Sequence, residues 1–86
     1  MMKHYEVYVG RCEEKKVHLI DNFTIHTGEA GDLALLNKCV EKFCRRSGYQ
    51  YMSGSFKLGV GFVQKVGFFT KGDKSEQFVV EVRLHN

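Results

Sequence analysis

The sequence contains no proline and no tryptophan, and its 86 residues include only three cysteines. Three cysteines cannot all pair within one chain, whereas secreted domains stapled by disulfides carry an even set. The first residues, MMKHYE, lack the apolar run of a signal peptide. No stretch approaches the roughly 20 consecutive apolar residues that span a bilayer. These absences predict a soluble, cytoplasmic protein with reduced thiols and no membrane partner.

The chain also lacks a strong excess of either charge, since 13 basic residues stand against 10 acidic ones and the formal net charge is +3. A dedicated nucleic-acid-binding domain is usually more basic, with a pI above about 9, and the sequence pI here is about 8.8. The charge therefore permits an anionic partner without arguing for one. The length predicts a single domain over residues 1–86, with one small core.

No residue spacing is typical of a metal site, a phosphate loop or a catalytic motif. Cys39 and Cys44 are five residues apart on a predicted helix, which places them roughly 140° apart around its axis. They do not readily share a metal, and Cys12 shows no zinc-site spacing with any histidine. The segment Gly59-Val60-Gly61 has no Walker lysine after it. We predict no metal, no cofactor and no catalytic residue, and the sequence leans against an enzyme.

The N-terminal quarter of the chain predicts a β-hairpin. Apolar residues alternate over residues 4–11 and again over 16–21, the pattern of strands with one buried face. Val9 matches either Val17 or Leu19 across this hairpin, and both registers stay open. Residues 23–25 form either a short third strand or the run into a helix.

A helix follows, because apolar residues recur at spacings of three and four: Leu33, Leu36, Val40 and Phe43. Thr27 or Asp32 is suited to cap its start, and Gly48 stands where a glycine ends a helix.

The C-terminal third, from Phe56 to Leu84, predicts one long β-hairpin. Apolar residues occupy even positions on both arms, so we predict a turn at residues 53–55 and a continuous strand from Phe56 to Phe68 that bends at its glycines. The sheet order of the N-terminal hairpin stays open between the Phe56 strand and the Phe78 strand.

The second turn of this hairpin determines which residues face each other. A loop of three residues, Gly72-Asp73-Lys74, or of five, residues 71–75, pairs Phe68 with Phe78 and sets Lys65 beside Glu81 on the solvent face. A two-residue turn would instead oppose Phe68 and Gln77. The fold class predicted is α+β: an antiparallel sheet of about four to five strands in β-β-α-β-β order, with one amphipathic helix on one face.

Two short segments resemble motifs of RNA-recognition domains. Gly59-Val60-Gly61-Phe62-Val63 is similar to part of the octapeptide of that family, and Val7-Tyr8-Val9-Gly10 is similar to its shorter first-strand motif. The resemblance implies aromatics that stack bases on central strands. Leu58 replaces the expected basic residue, Val60 and Lys65 replace two aromatics, and no second helix follows. We therefore interpret these glycines as points of strand curvature.

The most suggestive binding residues lie where the helix gives way to the next strand. Basic residues that crowd the end of the helix complement its dipole: Lys38, Lys42, Arg45 and Arg46. Aromatics interleaved with cations also suit single-stranded nucleic acid, and the candidate binding residues are Arg45, Arg46, Tyr49, Tyr51 and Lys57.

The sequence favours a small non-enzymatic binding protein that acts through a protein–protein surface. It would be an adaptor, inhibitor or regulator of a larger partner, or a homodimer, because an arm longer than the helix can cover leaves apolar surface or an exposed edge. The alternative function is nucleic-acid binding through the candidate residues. A second alternative is a small enzyme or a metal-binding protein.

Overall fold

The computed structural model describes residues 2–26 and 31–85 and consists of one helix packed on a five-stranded antiparallel sheet. The elements are β1 (Met2–Arg11), a 3-10 turn (Cys12–Glu14), β2 (His18–His26), α1 (Asp32–Ser47), β3 (Gln50–Gly59), β4 (Phe62–Lys71) and β5 (Lys74–His85). The strands lie in the order β2-β1-β5-β4-β3. The predicted combination of an antiparallel sheet of four to five strands with one helix is confirmed, but the order of elements is β-β-α-β-β-β, with three strands after the helix where two were predicted.

The extra strand arises because the chain turns at Val60-Gly61, so the continuous strand predicted from Phe56 to Phe68 is wrong. Gly59 lies opposite Phe62, and Gly61 has a φ of +77°, which glycine adopts without the penalty of a side chain. The segment that resembles the RNA-recognition octapeptide is therefore a hairpin turn and not a central strand. Residues 53–55, predicted as a turn, lie inside β3.

The second turn contains only Gly72 and Asp73, so the predicted loop of three or five residues is wrong. Gly72 has a φ of +59°, as the first residue of a type II′ hairpin turn requires. Phe68 consequently pairs with Gln77.

The cross-strand partners change with that turn. Lys65 lies opposite Val80, and Glu81 lies opposite Gln64, so the predicted pair of Lys65 with Glu81 is also wrong. The odd positions of β4 face the helix, because Val63 and Phe69 are the strand's buried hydrophobic side chains. The alternation at even positions was misleading because β4 carries apolar residues on both faces.

The first hairpin adopts neither of the two registers considered. Val9 pairs with His18, and the register shifts between Val7 and Tyr8 so that Ile20 is left without a partner. This irregularity is a bulge, which strengthens the local twist of a strand. Residues 23–25 belong to β2, and β1 pairs with β5 along its other side.

Helix α1 forms where the apolar spacing predicted it, and its inner face builds the core with β1, β4 and β5. Gly48 ends the helix with a φ of +80°, and its N–H donates to the carbonyl of Cys44 at 2.9 Å. Gly31 occupies the N-cap position and Asp32 is the first helical residue, while Thr27 lies outside the described residues. The buried apolar side chains are Tyr5, Val7, Val9, Leu35, Leu36, Cys39, Val40, Val63, Phe69, Phe78, Val80 and Val82.

One helix does not cover this sheet. An α-helix with its side chains is about 10 Å across and strands are about 4.8 Å apart, so α1 covers two to three strands of the five. It lies over the centre, where the buried side chains of β1, β4 and β5 meet it. Every side chain of β3 except Tyr51 is exposed.

Candidate functional site

Tyr49, one of the predicted binding residues, is engaged within the fold. Its hydroxyl donates to Glu76 Oε2 at 2.7 Å, and its ring packs on Phe43 and Phe78 at centroid distances of 6.4 and 5.1 Å. The hydrogen bond to Glu76 raises the pKa of Tyr49. The same bond, together with Arg11, lowers the pKa of Glu76. Tyr49 therefore ties the helix end to β5 and presents little free surface for a base to stack on.

Arg46 and Lys57 lie apart from the other predicted binding residues. Arg46 points toward β2, where its Nη1 is 4.0 Å from Asp21 Oδ2. Lys57 lies opposite Gln64 in β3. Directly paired residues of an antiparallel sheet share a face, and even positions of β4 face away from the helix, so Lys57 lies on the sheet face opposite α1.

The structure brings Arg45 and Tyr51 together in an open groove between α1 and β3. The groove has a volume of about 530 Å³ and is lined by Asn37, Val40, Glu41, Cys44, Arg45, Tyr51 and Lys65. Lys65 Nζ lies 4.4 Å from the centroid of the Tyr51 ring and 3.3 Å from Asn37 Oδ1. Lys65 was not among the predicted binding residues, because its contact with Tyr51 depends on the register of β3 and β4.

Exposed apolar side chains lie on and beside β3, here called the apolar edge: Met52, Phe56, Leu58 and Val60. Phe56, Leu58 and Met52 are 55%, 58% and 59% exposed, and Val60 is fully exposed. The long hairpin was expected to leave an exposed edge, but none of these four residues was named as a binding residue. Phe56 and Leu58 were assigned to the apolar face of the hairpin. They do lie on the helix side of the sheet, opposite Lys65 and Val63, but α1 does not reach them. The largest apolar patch on the surface of a monomeric protein is often a binding surface.

The backbone of β3 also has outward hydrogen-bonding groups, for which no strand among residues 2–26 and 31–85 supplies partners. In a two-residue hairpin the residues that flank the turn form a hydrogen-bonded pair, so Gly59 bonds to Phe62, and bonded pairs then alternate along the strand. Leu84 N–H donates to Gly61 O at 2.8 Å, which shows that odd residues of β4 bond to β5 and leaves the even ones to β3. The N–H and C=O groups of the even residues in the middle of β3 therefore point away from the sheet: Gly54, Phe56 and Leu58.

The sheet face opposite α1 carries a polar network as well as the exposed ring of Phe68. Gln64 Nε2 donates to Glu81 Oε1 at 2.8 Å, and Arg83 Nε donates to Glu81 Oε2. The guanidinium of Arg83 lies 3.9 Å above the ring of Tyr8. Because its charged and polar groups satisfy one another, this face offers a ligand fewer free groups than the apolar edge does.

The described residues hold no group of three or more histidine, cysteine or acidic side chains that would ligate a metal. The three cysteines are free. Burial raises the pKa of the Cys39 thiol to about 11, which suppresses the reactive thiolate near neutral pH.

Within the described part of the chain, no helix has the length and apolar character needed to cross a membrane. The fold and its exposed edge define a small α+β protein with one helix on a five-stranded antiparallel sheet. No protein-family model, no curated protein and no solved structure matches this chain.

Proposed function

We propose that this chain is a small non-enzymatic binding protein that engages a protein partner through β3. The observation that carries the proposal is the apolar edge, which is exposed along a strand whose outward backbone groups have no partner strand among the described residues. A partner segment that adds to such an edge gains main-chain hydrogen bonds, and its side chains gain apolar contacts. Proteins usually protect edges with charges, bulges or cover.

The low charge of β3 supports the same proposal. Its ten residues include a single charged side chain, Lys57, which is directed to the face opposite α1. Phe56 and Leu58 therefore form an uncharged strip beside the outward backbone groups. A strip of this kind favours an extended, largely apolar segment over a highly charged one, because charged groups would lose solvation without gaining a counter-charge.

A pair of photocrosslinking variants tests the proposal. We expect a photoreactive amino acid at position 58 to crosslink the native partner in cells. The matched control is position 19, because Leu19 is also an exposed leucine but lies on β2, at the opposite edge. Leu58→Glu should abolish co-purification of the same partner, whereas Leu19→Glu should retain it. Equal crosslinking at the two edges, or a partner insensitive to Leu58→Glu, would contradict binding through β3.

Nucleic-acid binding remains the second candidate, and the groove that brings Arg45, Tyr51 and Lys65 together favours it. Glu41 lines the same groove, and Arg46, Tyr49 and Lys57 lie elsewhere, so the support is weaker. Binding of a fluorescent single-stranded oligonucleotide that weakens steeply between 50 and 200 mM salt, and fails in Lys65→Ala, would support it. Absence of a complex at low salt would remove it.

A further inference from the structure

We propose that the partner of β3 is a second copy of this chain, joined by antiparallel pairing of the two β3 strands about a two-fold axis at Phe56. This inference rests on the proposed function, because it names the occupant of the same edge. A two-fold axis pairs each residue with its equivalent on the other side of the axis. Self-pairing therefore requires that the sequence of β3 be compatible with its own reversed copy.

The sequence of β3 meets that requirement when Phe56 lies opposite the second copy's Phe56. Leu58 then faces Gly54 of the second copy, and because glycine has no side chain there is room for the leucine. Val60 in the turn and the second copy's Met52 at the bulge then lie toward the same end of the pairing. On the opposite face, Lys57 lies across from Ser55 and meets no like charge.

Other symmetric registers are less favourable. An axis at Lys57 would place two lysines directly opposite each other, and like charges in that position are destabilising. An axis at Ser55 would set Leu58 opposite the second copy's Met52, the extra residue of the bulge between Tyr51 and Ser53, where the regular alternation of backbone groups is interrupted. The axis at Phe56 sets both Phe56 and Leu58 opposite residues in the regular part of β3.

The outward backbone groups agree with an axis at Phe56. Gly54, Phe56 and Leu58 are the residues whose N–H and C=O groups point away from β4, and this register pairs them only with one another. Gly54 is also constrained within its own chain, since a Cβ there would lie 2.3 Å from the carbonyl oxygen of Val66. The glycine that accommodates Leu58 of the second copy is therefore already required by the packing of β3 on β4.

The two helices do not obstruct this arrangement. A two-fold axis perpendicular to the sheet keeps both helices on the same face, and β4 of one copy lies three strand spacings, about 14 Å, from β4 of the other. Because α1 lies over the centre of each sheet, the helix axes are farther apart than the 8–10 Å of packed helices. Phe56 and Leu58 from both copies then lie on the sheet surface between the two helices.

The area that pairing of the two β3 strands can bury is that of a weak dimer. Edge-to-edge pairing buries the outward backbone groups of both strands and the flanks of Phe56 and Leu58, and it leaves the outer faces of these side chains between the two helices. The interface is therefore at or below the low end of the roughly 1,200–2,000 Å² that stable specific interfaces bury. We therefore expect a weak dimer that is populated at 100 μM and largely dissociated at 1 μM.

Cysteine trapping determines both the pairing and its register. The background carries Cys12→Ser and Cys44→Ser and keeps the buried, unreactive Cys39. In a hydrogen-bonded antiparallel pair the two Cα atoms are about 5.5 Å apart, which a disulfide spans. Phe56→Cys should therefore form a covalent dimer under mild oxidation at least ten times faster than the neighbouring variants Ser55→Cys and Lys57→Cys. In those variants the equivalent Cα atoms lie about 8 Å apart, beyond the reach of a disulfide.

The outcomes separate this inference from the proposed function. Light scattering of the unmodified protein at 100 μM should give twice the chain mass of 9.9 kDa, and Phe56→Lys should give the single mass while circular dichroism shows an unchanged fold. Faster trapping at position 55 or 57 would overturn the register. A monomer at 100 μM would overturn self-pairing, and the proposed function would still stand if position 58 crosslinks a different protein. If position 58 crosslinks nothing more than position 19 does, both are wrong.

Discussion

The two edges of this sheet are built differently. At the β2 edge, Asp21 Oδ2 accepts a hydrogen bond from Lys42 Nζ of α1 at 2.8 Å, and Phe23 stacks on Tyr5 of β1 at a centroid distance of 5.6 Å. A bulge at Ile20 interrupts the strand. The β3 edge has its one bulge near its start, between Tyr51 and Ser53, and no cover over Phe56 or Leu58.

The two edges differ because polar side chains of α1 contact β2. Of the basic cluster at its C-terminal half, Lys42 and Arg46 turn to Asp21 and hold β2. Ion pairs of this exposed type contribute little individually, but they place two long side chains of α1 against Asp21 of β2. The β3 edge receives no comparable cover, so it is the edge that remains available for pairing.

The largest difference between the two edges is expected when one phenylalanine at each edge is truncated. Phe23→Ala should lower the free energy of unfolding by about 2 kcal/mol, because it removes a partly buried ring that packs on Tyr5 and the core. Phe56→Ala should change it by less than about 0.5 kcal/mol in urea unfolding at about 1 μM, where self-association is weak. Equal losses would show that β3 is held by the fold as firmly as β2.

The turn that creates the β3 edge is the next test. Gly61→Ala should cost about 1–2 kcal/mol, because Gly61 has a φ of +77° that a residue with a side chain adopts only with strain. Val60→Ala is the matched control within the same turn, and it should change the thermal midpoint very little because Val60 is fully exposed. If the two variants melt alike, Gly61 does not need its left-handed conformation.

The smallest effect concerns the ion pair at the β2 edge. The hydrogen bond from Lys42, helped by the N–H of Asn22 and by Arg46, holds the pKa of Asp21 below its usual value of 3.8. Since the folded pKa is lower than the unfolded one, the stabilisation is present above about pH 4 and is lost as the pH falls through the folded pKa. Asp21→Asn should therefore cost about 0.5 kcal/mol at pH 7.

The pH series supplies the control for that prediction. As the pH falls from 5 to 2.5, the wild type should lose its advantage over Asp21→Asn, because the carboxyl becomes protonated and no longer pairs with Lys42. Urea unfolding at several pH values measures the difference. A gap between the two proteins that stays constant down to pH 2.5 would show that the charge of Asp21 does not hold β2.

The sequence predicted well wherever an element buries one face. The alternation of Tyr5, Val7 and Val9 predicted β1, and all three side chains are buried. Leu36 and Val40 predicted the inner face of α1, and Gly48 predicted its end. In each case a single periodicity described the burial, because only one side of the element contacts the core.

Prediction failed in β3 and β4, where the same even-numbered alternation runs across a turn. A two-residue turn pairs residues of opposite parity, so Leu58 and Val63 share the helix side of the sheet. The pattern itself does not reveal the reversal, since Val66 and Phe68 supply apolar residues on the other face of β4. For the same reason the residues of the apolar edge were not named as a site: Phe56 and Leu58 were assigned to the same apolar face as Val66 and Phe68.

The periodicity of the sequence was sufficient to predict the elements that bury one apolar face and the glycine that ends α1. The turn at Gly61 was not predictable in this way, because a glycine permits a positive φ without requiring it. The tertiary structure also places α1 over β1, β4 and β5, so that β3 is left exposed apart from Tyr51. The width of sheet that one helix covers determines which hydrophobic residues remain exposed. That width cannot be derived from the periodicity or the composition of the sequence.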